Sequence, residues 1–282
     1  MSEVLDTNLI VENTPALSII IPIHEGSNSY QPFVHALKLA YASKGELEIV
    51  DVRDEQEATE HLGVRELLER WGVLPDNAHR SDVMDIGLKV KKVVKSGNKK
   101  KEIKKRLDRH PHDILVIGTD SKPGFGLPFG HDLAEYLAEY FNRTTLFIPS
   151  DSRPFINEST GKASLRKILV PVENTHSGNI ALGKLSSLLH LFPECSPEVI
   201  AFHVGKIFPL LESSKIDGLN LRTELKSESL IGSVLMAADK NDVDLIVMAT
   251  KGRSSFQDKL IGSNTEKVLR GSNRPLLSVS MH

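Results

Sequence analysis

The residues whose types and spacing could do chemistry gather near the C-terminus, between Val243 and Arg270. An apolar run through Leu245, Ile246, Val247 and Met248 stops abruptly at Ala249, and a small-residue loop with Gly252 follows. Gly262 and Ser263 then open a helical pattern. Glycine carries no Cβ, so the backbone can approach an anion closely. A helix start adds free N–H groups and the positive end of a dipole. Together these describe a phosphate pocket built without a P-loop. Ser263 and Glu266 have a second account, because Ser-Asn-Thr-Glu is a capping box that needs no ligand. Capping does not explain Gly252 and Gly262 at this separation after a buried strand.

An altered copy stands in the first half. Gly118 lies in the run from His112 to Asp120, but Ser121 occupies the place of the second glycine. Gly130 comes one residue early, and His131 replaces the serine. Asp132 and Glu135 would compete with a phosphate for the helix N–H groups. The first half is expected to keep the fold and lose the site. If it holds another ligand instead, His24, Glu25, Asp120 and His131 are the residues to follow.

Other chemical groupings carry less. Thr160-Gly-Lys-Ala163 ends like a P-loop, but Ile156 stands where that loop needs its first glycine and Ala163 replaces Ser or Thr. Cys195 has no evident base beside it in sequence, which argues against a catalytic thiol. His110 to Asp113 offers metal-type side chains without a second cluster to complete a site, and reads as a loop before a strand. Residues 89–110 are strongly basic. They read as a half-exposed strand with Val90, Val93 and Val94 inward. A helix follows, with Ile103 and Leu107 facing the core and lysines outside. No aromatic is interleaved for base stacking, so no nucleic-acid partner is expected.

The elements that must position these residues recur at about half the chain length. Leu17–His24 matches Leu165–Asn174, Leu47–Arg53 matches Glu198–Gly205, and His112–Ser121 matches Val243–Gly252. The halves end in Thr144–Ser150 and Arg274–Met281. Helical patterns cover Gln31–Ser43 and Asn179–Leu191. In the first half, residues 61–72 hold a further amphipathic helix, with Leu62, Leu67, Leu68 and Trp71 on one face. The matching stretch, Lys206–Gly218, reads as irregular. Alternating strands and helices imply α/β architecture, with a mostly parallel sheet covered on both faces. Domains are expected at 1–150 and 165–282, with 151–164 as a polar linker. The chain has 282 residues, one cysteine and a formal net charge of −2. Bulk charge therefore points to neither nucleic acid nor an anionic membrane. No apolar run nears the ~20 residues of a membrane helix. The acidic N-terminus does not read as a signal peptide, so a cytoplasmic protein without a membrane partner is expected.

The spacing Ala249, Gly252, Gly262-Ser263 and the strand end His203-Val204 resemble those of the universal stress protein (UspA-type) family. That family's nucleotide-binding members carry Gly, two residues, Gly, nine residues, then Gly-Ser or Gly-Thr. The resemblance covers residues 165–281 by motif and 15–150 by architecture, which makes the chain similar to a tandem member. It implies two domains, each a five-stranded, mostly parallel, adenine nucleotide alpha hydrolase-like (Rossmann-like) sheet. The last strands, Thr144–Pro149 and Pro275–Ser280, would pair across an intramolecular pseudo-dimer. It also implies ATP, AMP or ADP bound in the second domain, with Mg2+ carried by the nucleotide. The implied site comprises Pro171, Val172, Glu173, Val204, Met248, Ala249, Gly252, Arg253, Gly262, Ser263 and Asn264. Glu173 stands where the family usually has Asp, and Ala249 where it has Gly. The resemblance further implies a stress-response regulator acting on an unidentified protein partner, with further dimerisation left open. A nucleotide-free structural module and a slow ATPase stay open as alternatives. No residue is assigned a catalytic or metal-ligating role.

Overall fold

The computed structural model describes residues 15–23, 30–53, 63–119, 143–227, 230–250 and 264–281. The first half contributes β1 (Ser18–Ile23), β2 (Glu46–Arg53), β3 (Lys89–Ser96), β4 (Ile114–Thr119) and β5 (Thr144–Pro149). The second contributes β6 (Lys167–Pro171), β7 (Glu198–Val204), β8 (Asn220–Lys226), β9 (Leu245–Thr250) and β10 (Leu276–Ser280). All ten lie in one sheet, in the order β3-β2-β1-β4-β5-β10-β9-β6-β7-β8. Neighbours within each half are parallel. The halves meet antiparallel, with Leu276 opposite Phe147, Leu277 opposite Leu146 and Ser278 opposite Thr145. The expected pairing of the last strands is therefore present.

Helices cover both faces. They are α1 (Gln31–Ala42), α2 (Val64–Arg70), α3 (Arg80–Asp85), α4 (Lys99–Arg109), α5 (Thr175–Leu189), α6 (Ser213–Ile216), α7 (Leu230–Lys240) and α8 (Asn264–Gly271). The central strands are apolar without interruption because both their faces are buried. Successive residues point to opposite faces, so Ile19 and Ile21 join α1, α2 and α5 in one core. Ile20 joins α4, α7 and α8 in the other. The first of these cores runs continuously through both halves.

Three expectations need correction. α5 begins at Thr175 rather than Asn179, because Asn174 caps it: the Asn174 side chain accepts from the Ser177 N–H at 3.0 Å, and Ser177 Oγ accepts from the Asn174 N–H at 3.1 Å. Residues 206–218, read as irregular, contain the single turn α6. Val90 and Val93 are half-buried, but Val94 is 52% exposed. Adjacent strand residues face opposite ways, and β3 is an outermost strand with little cover. Ile103 and Leu107 do face the core. Leu62 lies outside the described residues.

The segment joining the halves is a packed strap. Phe155 and Ile156 are buried, and Ile156 bridges to Ala163. Trp71 Nε1 donates to the Glu158 carbonyl at 2.8 Å, and Gln31 Nε2 donates to the Glu158 carboxylate at 3.1 Å. Gly161 has φ +64°, and a Cβ there would lie 2.4 Å from the Trp71 ring. His35, fully buried, holds the strap to α1. Its Nε2 accepts from the Ile156 N–H at 3.3 Å, so Nδ1 carries the proton donated to the Gln31 carbonyl at 2.7 Å. Its ring meets Phe155 edge-on at 4.4 Å. A neutral imidazole satisfies both bonds, and burial depresses its pKa to about 4.

The unfolded chain therefore binds a proton at His35 that the folded chain refuses. Stability is complete above about pH 6.5, falls as pH drops, and levels off near pH 4. His112, also lowered chiefly by burial, adds to the same trend. Going from pH 7 to pH 5 is expected to cost about 2 kcal/mol through His35 alone. Urea unfolding at the two pH values measures it. His35→Gln, whose amide can make both bonds, should lose that part of the slope.

Candidate functional site

Across the second half the order β10-β9-β6-β7-β8 makes the chain reverse its direction of travel between β6 and β9. Open parallel sheets bind ligands outside the carboxyl ends of their strands at such a switch point. β6 ends at Pro171, β9 at Thr250 and β7 at Val204, and β6 pairs with both of the others. Pro171, Val172, Glu173, Val204, Met248 and Ala249 therefore reach one rim from three adjacent strands. The crossover from β9 to the parallel β10 runs through α8, so Asn264 at the start of α8 stands at that rim too. Gly252, Arg253, Gly262 and Ser263 lie outside the described residues, as do Gly130 and His131 of the first-half copy.

The rim is graded from apolar to polar. Pro171, Val172 and Met248 are buried, Val204 and Ala249 half-buried, and Glu173 and Asn264 exposed. Val172 and Ala249 join one core, Met248 and Val204 the other. The floor thus spans the sheet, and polar groups stand above it.

Several side chains hold this rim in shape. His203 Nδ1 donates to the Val172 carbonyl at 2.7 Å, which ties the end of β7 to the exit of β6. The same ring meets Phe208 edge-on, with centroids 5.8 Å apart. Two residues absent from the sequence-based site set the loop after β7. Asn179, buried in α5, accepts from the Glu212 N–H through Oδ1 at 3.0 Å. Gly178 makes room, since a Cβ there would lie 2.8 Å from both Val172 and Leu211. The Asn174–Ser177 cap starts α5 early enough to place both in its first turns, but nothing local in the sequence records their contacts with residues 211 and 212.

The far end of β9 is anchored as firmly. Asp244 is buried, and its Oδ2 accepts from the backbone N–H groups of Arg166 and Lys167 at 2.7 and 3.1 Å. Its Oδ1 accepts from Arg153 at 2.6 Å and Arg166 at 3.0 Å. Burial alone would raise the Asp244 pKa, but the hydrogen bonds from Arg166 and Lys167 outweigh it and hold the carboxyl low. Asp113 does the same in the first half, accepting from the Ser18 N–H at 2.8 Å.

The first-half rim is built from different groups. Pro22 pairs with Val50 as Pro171 pairs with Phe202, so Asp51 stands where His203 does. A carboxylate cannot donate to the neighbouring carbonyl, and Asp51 instead lies 3.6 Å from Lys92 Nζ. Three residues before Asp51, on the other face of the sheet, Glu48 replaces Ile200. Burial pushes its pKa up, but the Arg106 guanidinium and the charges around it bring the net shift down. His112 Nε2 is 3.7 Å from Glu48. Among the described residues no group of three or more His, Cys, Asp or Glu could hold a metal ion. None of their helices is long and apolar enough to cross a membrane.

Comparison with known proteins adds the following. Residues 198–280 match the Universal stress protein family. A universal stress protein of Methanocaldococcus jannaschii is 27% identical over 155 residues, covering 40% of this chain and 94% of that protein. Among solved structures, a universal stress protein from Archaeoglobus fulgidus is similar with a TM-score of 0.61 at 15% identity, over 95% of this chain and 97% of that one. A functionally unknown protein from Pseudomonas aeruginosa has a TM-score of 0.61 at 14% identity, over 97% and 94%. At these identities the structural likeness shows the fold.

His203→Phe keeps the ring and removes the donor to Val172. It is expected to destabilise the protein by about 1–2 kcal/mol, because a carbonyl at the rim loses its partner. Urea unfolding measures the loss, and a change below a few tenths would mean that the His203 bond does not hold the rim.

Proposed function

We propose, from the match of residues 198–280 to the universal stress protein family on a chain that carries this fold twice, that the second half binds an adenine nucleotide, ATP or its di- or monophosphate. The observation that carries the reading is the switch-point rim, where three strand ends bring an apolar floor and a polar margin together beside the start of α8. The residues present suit such a ligand. Val204 and Ala249 are partly open and apolar, as the face of an adenine ring requires. Glu173 is exposed and could accept from ribose hydroxyls. Gly252, Arg253, Gly262, Ser263 and Asn264 would hold ribose and phosphates, with Mg2+ arriving on the nucleotide.

The first half, residues 1–150, keeps the fold without this ligand, since Asp51 takes the place of His203 and lowers the local potential. The protein acts as a cytoplasmic stress-response regulator whose surface, altered by the nucleotide, is read by a protein partner. No residue has a catalytic role in this reading. A slow ATPase is the second reading, and steady ADP release in a turnover assay would favour it.

Isothermal titration with ATP–Mg2+ is expected to show one nucleotide per chain. The double change Gly252→Val and Gly262→Val should abolish binding while leaving the unfolding midpoint close to that of the wild type. Glu173→Asp, which restores the residue usual in the family, should tighten binding severalfold. No heat of binding by the wild-type protein would sink the nucleotide reading.

A further inference from the structure

The two outermost strands of the sheet differ in kind. β8 carries both charges: Arg222 bonds Glu198 at 2.7 Å and Glu224 at 3.3 Å, and Lys226 lies 3.8 Å from Glu224. β3 reads Lys-Val-Lys-Lys-Val-Val-Lys-Ser, with no acidic residue. Edge lysines are a common device against chance strand pairing. That role alone would serve both ends equally, yet only β3 is basic throughout.

The register sharpens the contrast. Lys91 pairs with Glu48 and Val93 with Val50, so Lys89, Lys91, Val93 and Lys95 point to the face covered by α4. The outer side of α4 is itself basic, with Lys101, Lys105 and Arg109. On the opposite face stand Val90, Lys92 and Val94, and Val94 is 52% exposed. Among the described residues, the edge thus offers backbone groups without a further strand beside them, a row of positive charge at alternate positions on one face, and an uncovered apolar side chain on the other.

We propose that β3 is a docking edge for an acidic, extended segment of a partner protein, which adds to the sheet as a further strand. Main-chain bonds along β3 give the affinity, as in other strand additions. Acidic residues at alternate positions meet Lys89, Lys91 and Lys95, and an apolar residue between them covers Val94. The lysines repel a second copy of β3, so the same feature selects the partner and discourages self-association. This proposal is independent of the nucleotide reading.

The probe is a fluorescently labelled eight-residue peptide of alternating Glu and Val, titrated against the whole protein by anisotropy. Measurable binding that weakens with salt is expected. Lys89→Glu with Lys95→Glu, which leaves the Lys91–Glu48 and Lys92–Asp51 pairs intact, should weaken it at least tenfold with unchanged circular dichroism. The same peptide N-methylated at alternate residues should not bind, because it cannot complete a strand ladder. Equal binding of the methylated peptide, tighter binding of duplex DNA or anionic vesicles, or indifference to the lysine reversals would overturn the proposal.

Discussion

β5 and β10 meet antiparallel along Leu276–Ser278, and the way the two halves share one sheet follows from that pairing. Each half alone would end in an apolar strand with one open side, a ready template for aggregation. Joined, the two open sides cancel, and the first core becomes continuous across both halves. The antiparallel sense also places the carboxyl ends of the two sets of parallel strands at opposite rims of the sheet. The two switch points therefore face away from each other. Whatever binds at one cannot touch the other, and coupling between them has to pass through the shared core.

Within each half, an aspartate repeats the same work, exposed at Asp113 and buried at Asp244. Asp113 and Asp244 stand just before the fourth strand and accept backbone N–H groups from the start of the first. The first and fourth strands flank the switch point, so this bond sets the distance between them at the end far from the rim. His203 does the corresponding work at the rim of the second half. The first half lacks it, because Asp51 has no proton to give and turns to Lys92. Two copies with one frame have thus diverged in the group that closes the rim.

Much of this was legible in the sequence. Uninterrupted apolar runs marked the buried strands, and the repeated Asp-Ile-Leu-Val and Asp-Leu-Ile-Val segments marked the copies. The end of β7 and the exits of β6 and β9 were singled out through the family resemblance. Other parts were hidden for physical reasons. β8 is an edge strand, so its polar residues give no apolar signal. The start of α5 was missed because its cap uses Ser177 rather than a glutamate. Val94 was placed inward together with Val90 and Val93, although the pleat turns the adjacent Val93 and Val94 to opposite faces and the outermost strand leaves Val94 exposed. Asn179 and Gly178 matter through contacts with a loop some thirty residues away, which no local pattern records.

The strap between the halves has a consequence for how such a molecule can change over time. Phe155 and Ile156 fasten it into the core, and Trp71 and His35 hold it to the first half. A short tether fixes each half at a high effective concentration for its own companion, on the order of millimolar or above. Exchange with a half from another molecule is then strongly disfavoured. Two separate identical chains must carry identical rims, since one gene encodes both. Tethered halves are released from that identity, so one can lose or alter its rim while the other keeps it, and the pair still assembles as a unit.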